Sequence, residues 1–272
     1  MLRRGSDAGM SAHQHLPSSC NMAGARVALV LGADFYVVNT TTMHGALAGP
    51  APINMGFGVA NAHMCPMGVF LSFGFVNTAS IYMWNPAANA FLFKWNTTGP
   101  GNATHPWILE SSVMSVNGED MNPAGCVVAL GWMRGDGMQA AVSVTSMLTQ
   151  KQFLAWKSPV SPAGQNPPSV AMDLNYLAVG TWGSEDAGVV PTVLLFNFVS
   201  ATANVPVFQY TTPGSVFGID VVVDPYKYPP AAQGENNNSA GTDRVWVAAA
   251  GKHVHANVRG DGGDFFVFDV VV

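Results

Sequence analysis

The sequence predicts an all-β chain built from consecutive four-stranded antiparallel units, with helix nearly absent. Three observations carry this. Short runs rich in Val, Leu, Phe and Tyr alternate with turns of Gly, Pro, Asn and Ser throughout the chain. No amphipathic run at helical spacing stands out. The stretch from Ser169 to Asp220 is copied elsewhere: four β-runs, then a fifth, Ser215-Val-Phe-Gly-Ile-Asp220, that resembles the first, Ser169-Val-Ala-Met-Asp173. One such unit cannot bury both of its faces, so the pattern implies stacked copies.

Composition fits one large domain. The chain has 272 residues, of which 49% are hydrophobic and only 10% charged; this is globular rather than disordered. The net charge of -5 leaves no basic footprint, which argues against nucleic acid as a partner. No apolar run approaches the roughly 18 residues of a membrane span. Residues 1–22 are expected to be a tail or a partial blade strand, and as they stand they do not read as a signal peptide, since no apolar stretch follows Arg3 and Arg4. The repeat domain is expected over 23–272, with an exposed insertion at 224–243 whose Pro, Gly and triple Asn mark a loop.

The second strand of the unit is the clearest. It recurs as Arg26–Gly32, Val69–Gly74, Val127–Gly131, Tyr176–Gly180 and Val245–Gly251, with closing glycines 42, 57, 49 and 71 residues apart. Such periods suit a propeller blade or a similar four-stranded unit. The first strand is read at Gly58–Asn61, Ser112–Asn117, Ser169–Asp173 and Ser215–Asp220, and only doubtfully near Gly9 to His15 for the first unit. The third strand recurs at Asp34–Asn39, Ser80–Asn85, Ala141–Thr145, Thr192–Asn197 and Asp264–Asp269; the fourth at Phe91–Trp95, Phe153–Trp156 and Pro206–Tyr210. Units two, three and four are therefore complete, and the fifth stops after its third strand.

The segment Ile81-Tyr-Met-Trp-Asn-Pro-Ala-Ala-Asn-Ala-Phe-Leu-Phe-Lys-Trp95, a third strand, a turn and a fourth strand ending in an aromatic, resembles the repeat of quinoprotein-like and WD40-like β-propellers. The resemblance covers about residues 25 to 272 and implies a propeller of about five four-stranded blades, either a ring closed by the N-terminal segment or part of a larger ring. The W-D dipeptide and the tight T-G turn before the fourth strand are absent, so no subfamily is indicated.

Few residues suggest chemistry. No zinc-protease, nucleophile-elbow or phosphate-loop motif is present, and no cofactor is expected. His253 and His255 share a strand face and could be two metal ligands, but no third ligand accompanies them, so a polar loop is the simpler reading. Asp173 and Asp220 could pair over a central channel or close turns. Arg134-Gly-Asp136-Gly137 and Arg259-Gly-Asp261-Gly262 are two copies of one tetrapeptide in equivalent loops, either an adhesion-type tripeptide or Gly-Asp-Gly turns. Cys20, Cys65 and Cys126 are odd in number and lack close spacing, so buried free thiols are expected. Sequons at Asn39, Asn96, Asn102 and Asn237 lean toward an extracellular glycoprotein.

The loops after the second strands hold much of the scarce charge: Arg134, Asp136, Glu185, Asp186, Arg259 and Asp261, beside His253 and His255. They begin with aromatics at matched positions, Phe75, Trp132 and Trp182. Two functions follow. The first is a non-catalytic propeller presenting this loop face to a protein or glycan. The second is an enzyme, or part of one, of quinoprotein-like or glycosidase type, with its site over the channel. For the binding face, the rival reading is that the aromatics wedge between blades and the charges merely solubilise loop tips.

Overall fold

A computed structural model describes residues 18–23, 26–31, 34–39, 44–50, 60–65, 68–85, 87–88, 90–101, 104–116, 126–160, 167–181, 192–200, 202–212, 215–224, 243–252 and 263–272. These residues form β-strands and turns, with no helix among them. The first blade contains β1 (Ser18–Ala23), β2 (Arg26–Leu31), β3 (Asp34–Asn39) and β4 (His44–Pro50). The second contains β5 (Ala60–Cys65), β6 (Gly68–Phe75), β7 (Thr78–Asn85) and β8 (Ala90–Thr98). The third contains β9 (Trp107–Val116), β10 (Cys126–Arg134), β11 (Ala140–Ser146) and β12 (Gln152–Lys157). The fourth contains β13 (Ser169–Asp173), β14 (Tyr176–Gly180), β15 (Thr192–Asn197) and β16 (Phe208–Thr211), and the fifth β17 (Ser215–Val223), β18 (Arg244–Lys252) and β19 (Gly263–Val271).

Every sheet is an antiparallel meander in chain order. The first strands lie side by side in the order β1, β5, β9, β13, β17. Among the described residues no comparable contact joins β17 back to β1.

The apolar interior is divided among the interfaces between blades. Along β10, Cys126, Val128, Leu130 and Trp132 pack toward blade two with Phe70 and Ile81. The intervening Val127 and Ala129 pack toward blade four with Leu177 and Val179. Blade four repeats the division: Leu194 and Phe196 join the blade three side, while Val193 and Leu195 join Val245 and Val247 of blade five. Alternation along a strand thus sends successive side chains to two different interfaces. Each fully buried aliphatic side chain contributes roughly 1.5–3 kcal/mol, and it does so only with the neighbouring blade in place.

The recurring glycine that closes the second strand has a packing cause. A Cβ on Gly180 would lie 2.5 Å from Cγ1 of Val216 on β17, and one on Gly74 would overlap Cβ of Leu109 on β9. The first strand of the next blade approaches the glycine backbone more closely than any side chain permits.

Four expectations change. The first blade begins at Ser18–Ala23, while Gly9–His15 lies outside the described residues; β1 therefore crosses the expected boundary between 1–22 and 23–272. That blade also has a fourth strand, His44–Pro50, although its composition is poor in β-formers; pairing with β3 outweighs local propensity there. The first strands are displaced or extended: β5 runs from Ala60 to Cys65, β9 starts at Trp107, and β17 continues to Val223. Cys126 is disulfide-bonded rather than a free thiol.

Candidate loop face

The turns that follow the second strands of blades two and three meet the link between those blades. The β6–β7 turn is Val76-Asn77, and Asn77 holds a left-handed backbone with φ of 61°. The Asn77 N–H donates to the Trp107 carbonyl at 2.7 Å, and the Asn77 carbonyl accepts from Gly99 at 2.8 Å. Asn77 Oδ1 accepts from the Trp107 N–H at 2.7 Å. One residue thereby fixes both ends of the link from β8 to β9. The β10–β11 hairpin joins the same link, with Gly135 N–H donating to the Pro106 carbonyl at 2.6 Å. Lys157 Nζ donates to the Pro100 carbonyl at 2.8 Å and lies 5.7 Å from the ring centre of Trp107.

The hairpin carries the first Arg-Gly-Asp-Gly copy. Asp136 Oδ1 accepts from the Met138 N–H at 2.9 Å, and Arg134 Nε donates to the same oxygen at 2.7 Å. Gly137, at φ of 71°, donates its N–H to the Arg134 carbonyl; glycine takes this conformation without strain. The Arg134 hydrogen bond, with smaller help from the Met138 N–H and the charges of Arg134 and His105, holds the Asp136 carboxyl below its usual range. Asp136 therefore closes the turn, as the simpler reading expects, and also pairs with its own arginine. Val76, His105, Asp136 and Lys157 are exposed around this junction, and Arg134 is half-buried.

Trp132 is not part of that surface. Its indole is 0% exposed and packs between blades two and three with Trp107, Leu109 and Ile81. Its Nε1–H donates to Ser143 Oγ at 3.3 Å. A residue so enclosed cannot stack on a ligand, so here the wedge reading holds. Phe75 is the last residue of β6, opposite Thr78. Trp182, Glu185, Asp186, His253, His255, Arg259 and Asp261 lie outside the described residues. Asp173 Oδ2 accepts from the Val223 N–H at 2.8 Å, which ties β13 to β17. Asp220 Oδ1 accepts from Val221 N–H, and Asp220 sits within β17 rather than at its end.

A buried polar junction not anticipated from the sequence joins blades two and three. His63 Nε2 lies 3.1 Å from Ser72 Oγ and 3.0 Å from Ser112 Oγ, and the two hydroxyls are 2.7 Å apart. His63 is on β5, Ser72 on β6 and Ser112 on β9, so the junction joins blade two to blade three. Burial lowers the imidazole pKa from 6.5 to about 4; the ring is neutral at physiological pH and serves as a hydrogen-bond hub. With the first strand placed at Gly58–Asn61, His63 fell in a supposed turn. An analogous tie joins blades four and five, where Tyr176 Oη donates to Asp243 Oδ2 at 2.9 Å. Burial and that carboxylate push the Tyr176 pKa upward.

Stacked four-stranded meanders with their first strands side by side define a β-propeller. No known family profile and no curated protein sequence matches the chain. Among solved structures it is similar to the Dos1 propeller, with 9% identity and a TM-score of 0.55 over 90% of this chain and 52% of that one. It is also similar to regucalcin, a calcium-binding protein from Agrobacterium tumefaciens (13% identity, TM-score 0.45, 93% of this chain and 75% of that one). The WD40 domain of SCAP from fission yeast is a further match (8% identity, TM-score 0.43, 91% and 61%). The likeness to the Dos1 propeller supports the fold alone, and the weaker two add nothing to it. The chain spans about half the length of the Dos1 propeller chain.

Proposed function

We propose that this chain is a non-catalytic propeller whose loop face engages a protein or glycan partner. The observation that supports the reading is the meeting of the Val76-Asn77 turn and the Gly135–Gln139 hairpin with Gly99 and Pro106 on one face, joined by backbone hydrogen bonds. A surface held in place in the free protein loses little conformational entropy on binding. It offers an exposed apolar side chain, Val76, a cation, Lys157, and the Arg134–Asp136 pair, whose charges can be re-paired by a partner. With Trp132 withdrawn into the core, the reading rests on these polar groups.

The test is a binding screen of the purified chain against a glycan array and a library of extracellular protein domains. Arg134→Ala is then measured against each hit. The expected result is a loss of about tenfold in affinity with a thermal midpoint no more than about 4 °C below the parent's, since a half-buried arginine paired only within its own turn contributes about 1 kcal/mol or less. Hits that bind the Arg134→Ala and Lys157→Ala variants as tightly as the parent would place recognition elsewhere on the molecule.

A further inference from the structure

Cys126 is disulfide-bonded, and the chain holds only two other cysteines, Cys20 and Cys65. Topology separates these two. Cys20 lies within β1, opposite Leu29, in blade one. Cys65 is the last residue of β5, opposite Gly68, in blade two. Cys126 is the first residue of β10, opposite Val116 at the end of β9, in blade three. In an antiparallel meander the end of the first strand and the start of the second lie at one end of the sheet. Cys65 and Cys126 therefore occupy the same end of two neighbouring blades, whereas the sheet that carries β5 lies between Cys20 and Cys126.

The faces agree as well. Cys65 is two residues from His63 on β5 and so shares its face, and His63 reaches Ser112 of blade three. Cys126 packs with Phe70 and Ile81 of blade two. Cys65 thus has the strand parity of His63, and Cys126 packs with blade two. A disulfide needs its two Cα atoms within about 7 Å, a span available between facing strands of adjacent blades and not across an intervening sheet.

We propose that Cys65 and Cys126 form a disulfide that staples blade two to blade three. Two Sγ–H bonds break and one Sγ–Sγ bond forms. The two electrons and two protons pass to the disulfide of a thiol–disulfide oxidoreductase, which becomes its dithiol. The chain accordingly matures in an oxidising compartment, where such bonds form and persist. The staple completes the fastening of one interface. Asn77 and Trp107 join it at the loop-face end, the His63–Ser72–Ser112 junction joins it midway, and the disulfide closes the opposite end. This inference is independent of the partner-binding reading.

The experiment is a non-reducing peptide map of the full chain secreted from eukaryotic cells, after alkylation of free thiols. The expected result is one linked pair containing Cys65 and Cys126, with Cys20 alkylated. Dithiothreitol should lower the thermal midpoint of the parent by several degrees. It should leave the midpoint of Cys65→Ser and Cys126→Ser unchanged, and Cys20→Ser should respond like the parent. A Cys20–Cys126 peptide, or three alkylated cysteines without prior reduction, overturns the proposal, and the parent's map decides the matter even where a variant fails to fold.

Discussion

Asn77 grips Trp107 twice, once through its backbone N–H and once through its side-chain oxygen, each at 2.7 Å. The pair joins the turn of one blade to the first strand of the next. Both features of asparagine are used: it tolerates the left-handed backbone at φ of 61°, and its amide oxygen reaches the Trp107 N–H.

Substitution at this position separates the two contributions. Asn77→Asp keeps an acceptor and the tolerance for positive φ, and is expected to change unfolding free energy by less than about 0.5 kcal/mol. Asn77→Ala leaves the Trp107 N–H without that partner and strains the backbone; it is expected to cost roughly 2–3 kcal/mol. Urea unfolding of both variants checks the contrast, and an alanine variant as stable as the parent would remove Asn77 from the architecture of the junction.

Trp132 is expected to behave as a core residue. Replacing it by Ala opens a cavity between blades two and three and costs about 3–5 kcal/mol, which lowers the midpoint by roughly 10 °C in a chain of this size. Calorimetry of Trp132→Ala measures this directly. A midpoint equal to the parent's would return the indole to the surface.

His63 gives stability a pH dependence of known sign. Its folded pKa of about 4 lies below the ordinary 6.5, so between these values the unfolded chain binds a proton that the folded chain does not. Stability is retained in full above pH 6.5 and falls as pH drops through the window, by roughly 3 kcal/mol once below the folded pKa. His63→Gln retains a hydrogen-bonding group that does not titrate. Its unfolding free energy should vary less between pH 7 and pH 4.5 than the parent's, with the exposed carboxylates contributing equally to both. Identical slopes would mean that the imidazole is not buried.

The second strands were legible because their apolar runs end in glycine, and most third strands because theirs end in asparagine or aspartate; the glycine has a cause in the next blade's approach, as at Gly180 against Val216. The first strands were less legible. β5, Ala60-Asn-Ala-His-Met-Cys65, is neither continuously apolar nor cleanly alternating, and its limits depend on pairing with β6. The turn at Asp136 was legible locally, since Asp between glycines closes on the Met138 N–H two residues away.

By itself, then, the sequence determined the all-β class, the repeat and most of the strand pairs, because these depend on composition and spacing within some ten residues. The tertiary structure alone decided which way Trp132 points and that Cys126 is bonded. From Cys126 through Met133 every residue of β10 is buried, so polarity along the strand carries no sign of which neighbour each face meets. A strand enclosed on both sides reads as one apolar run, and only the stacking of blades assigns Val128 and Trp132 to one partner and Val127 and Ala129 to the other.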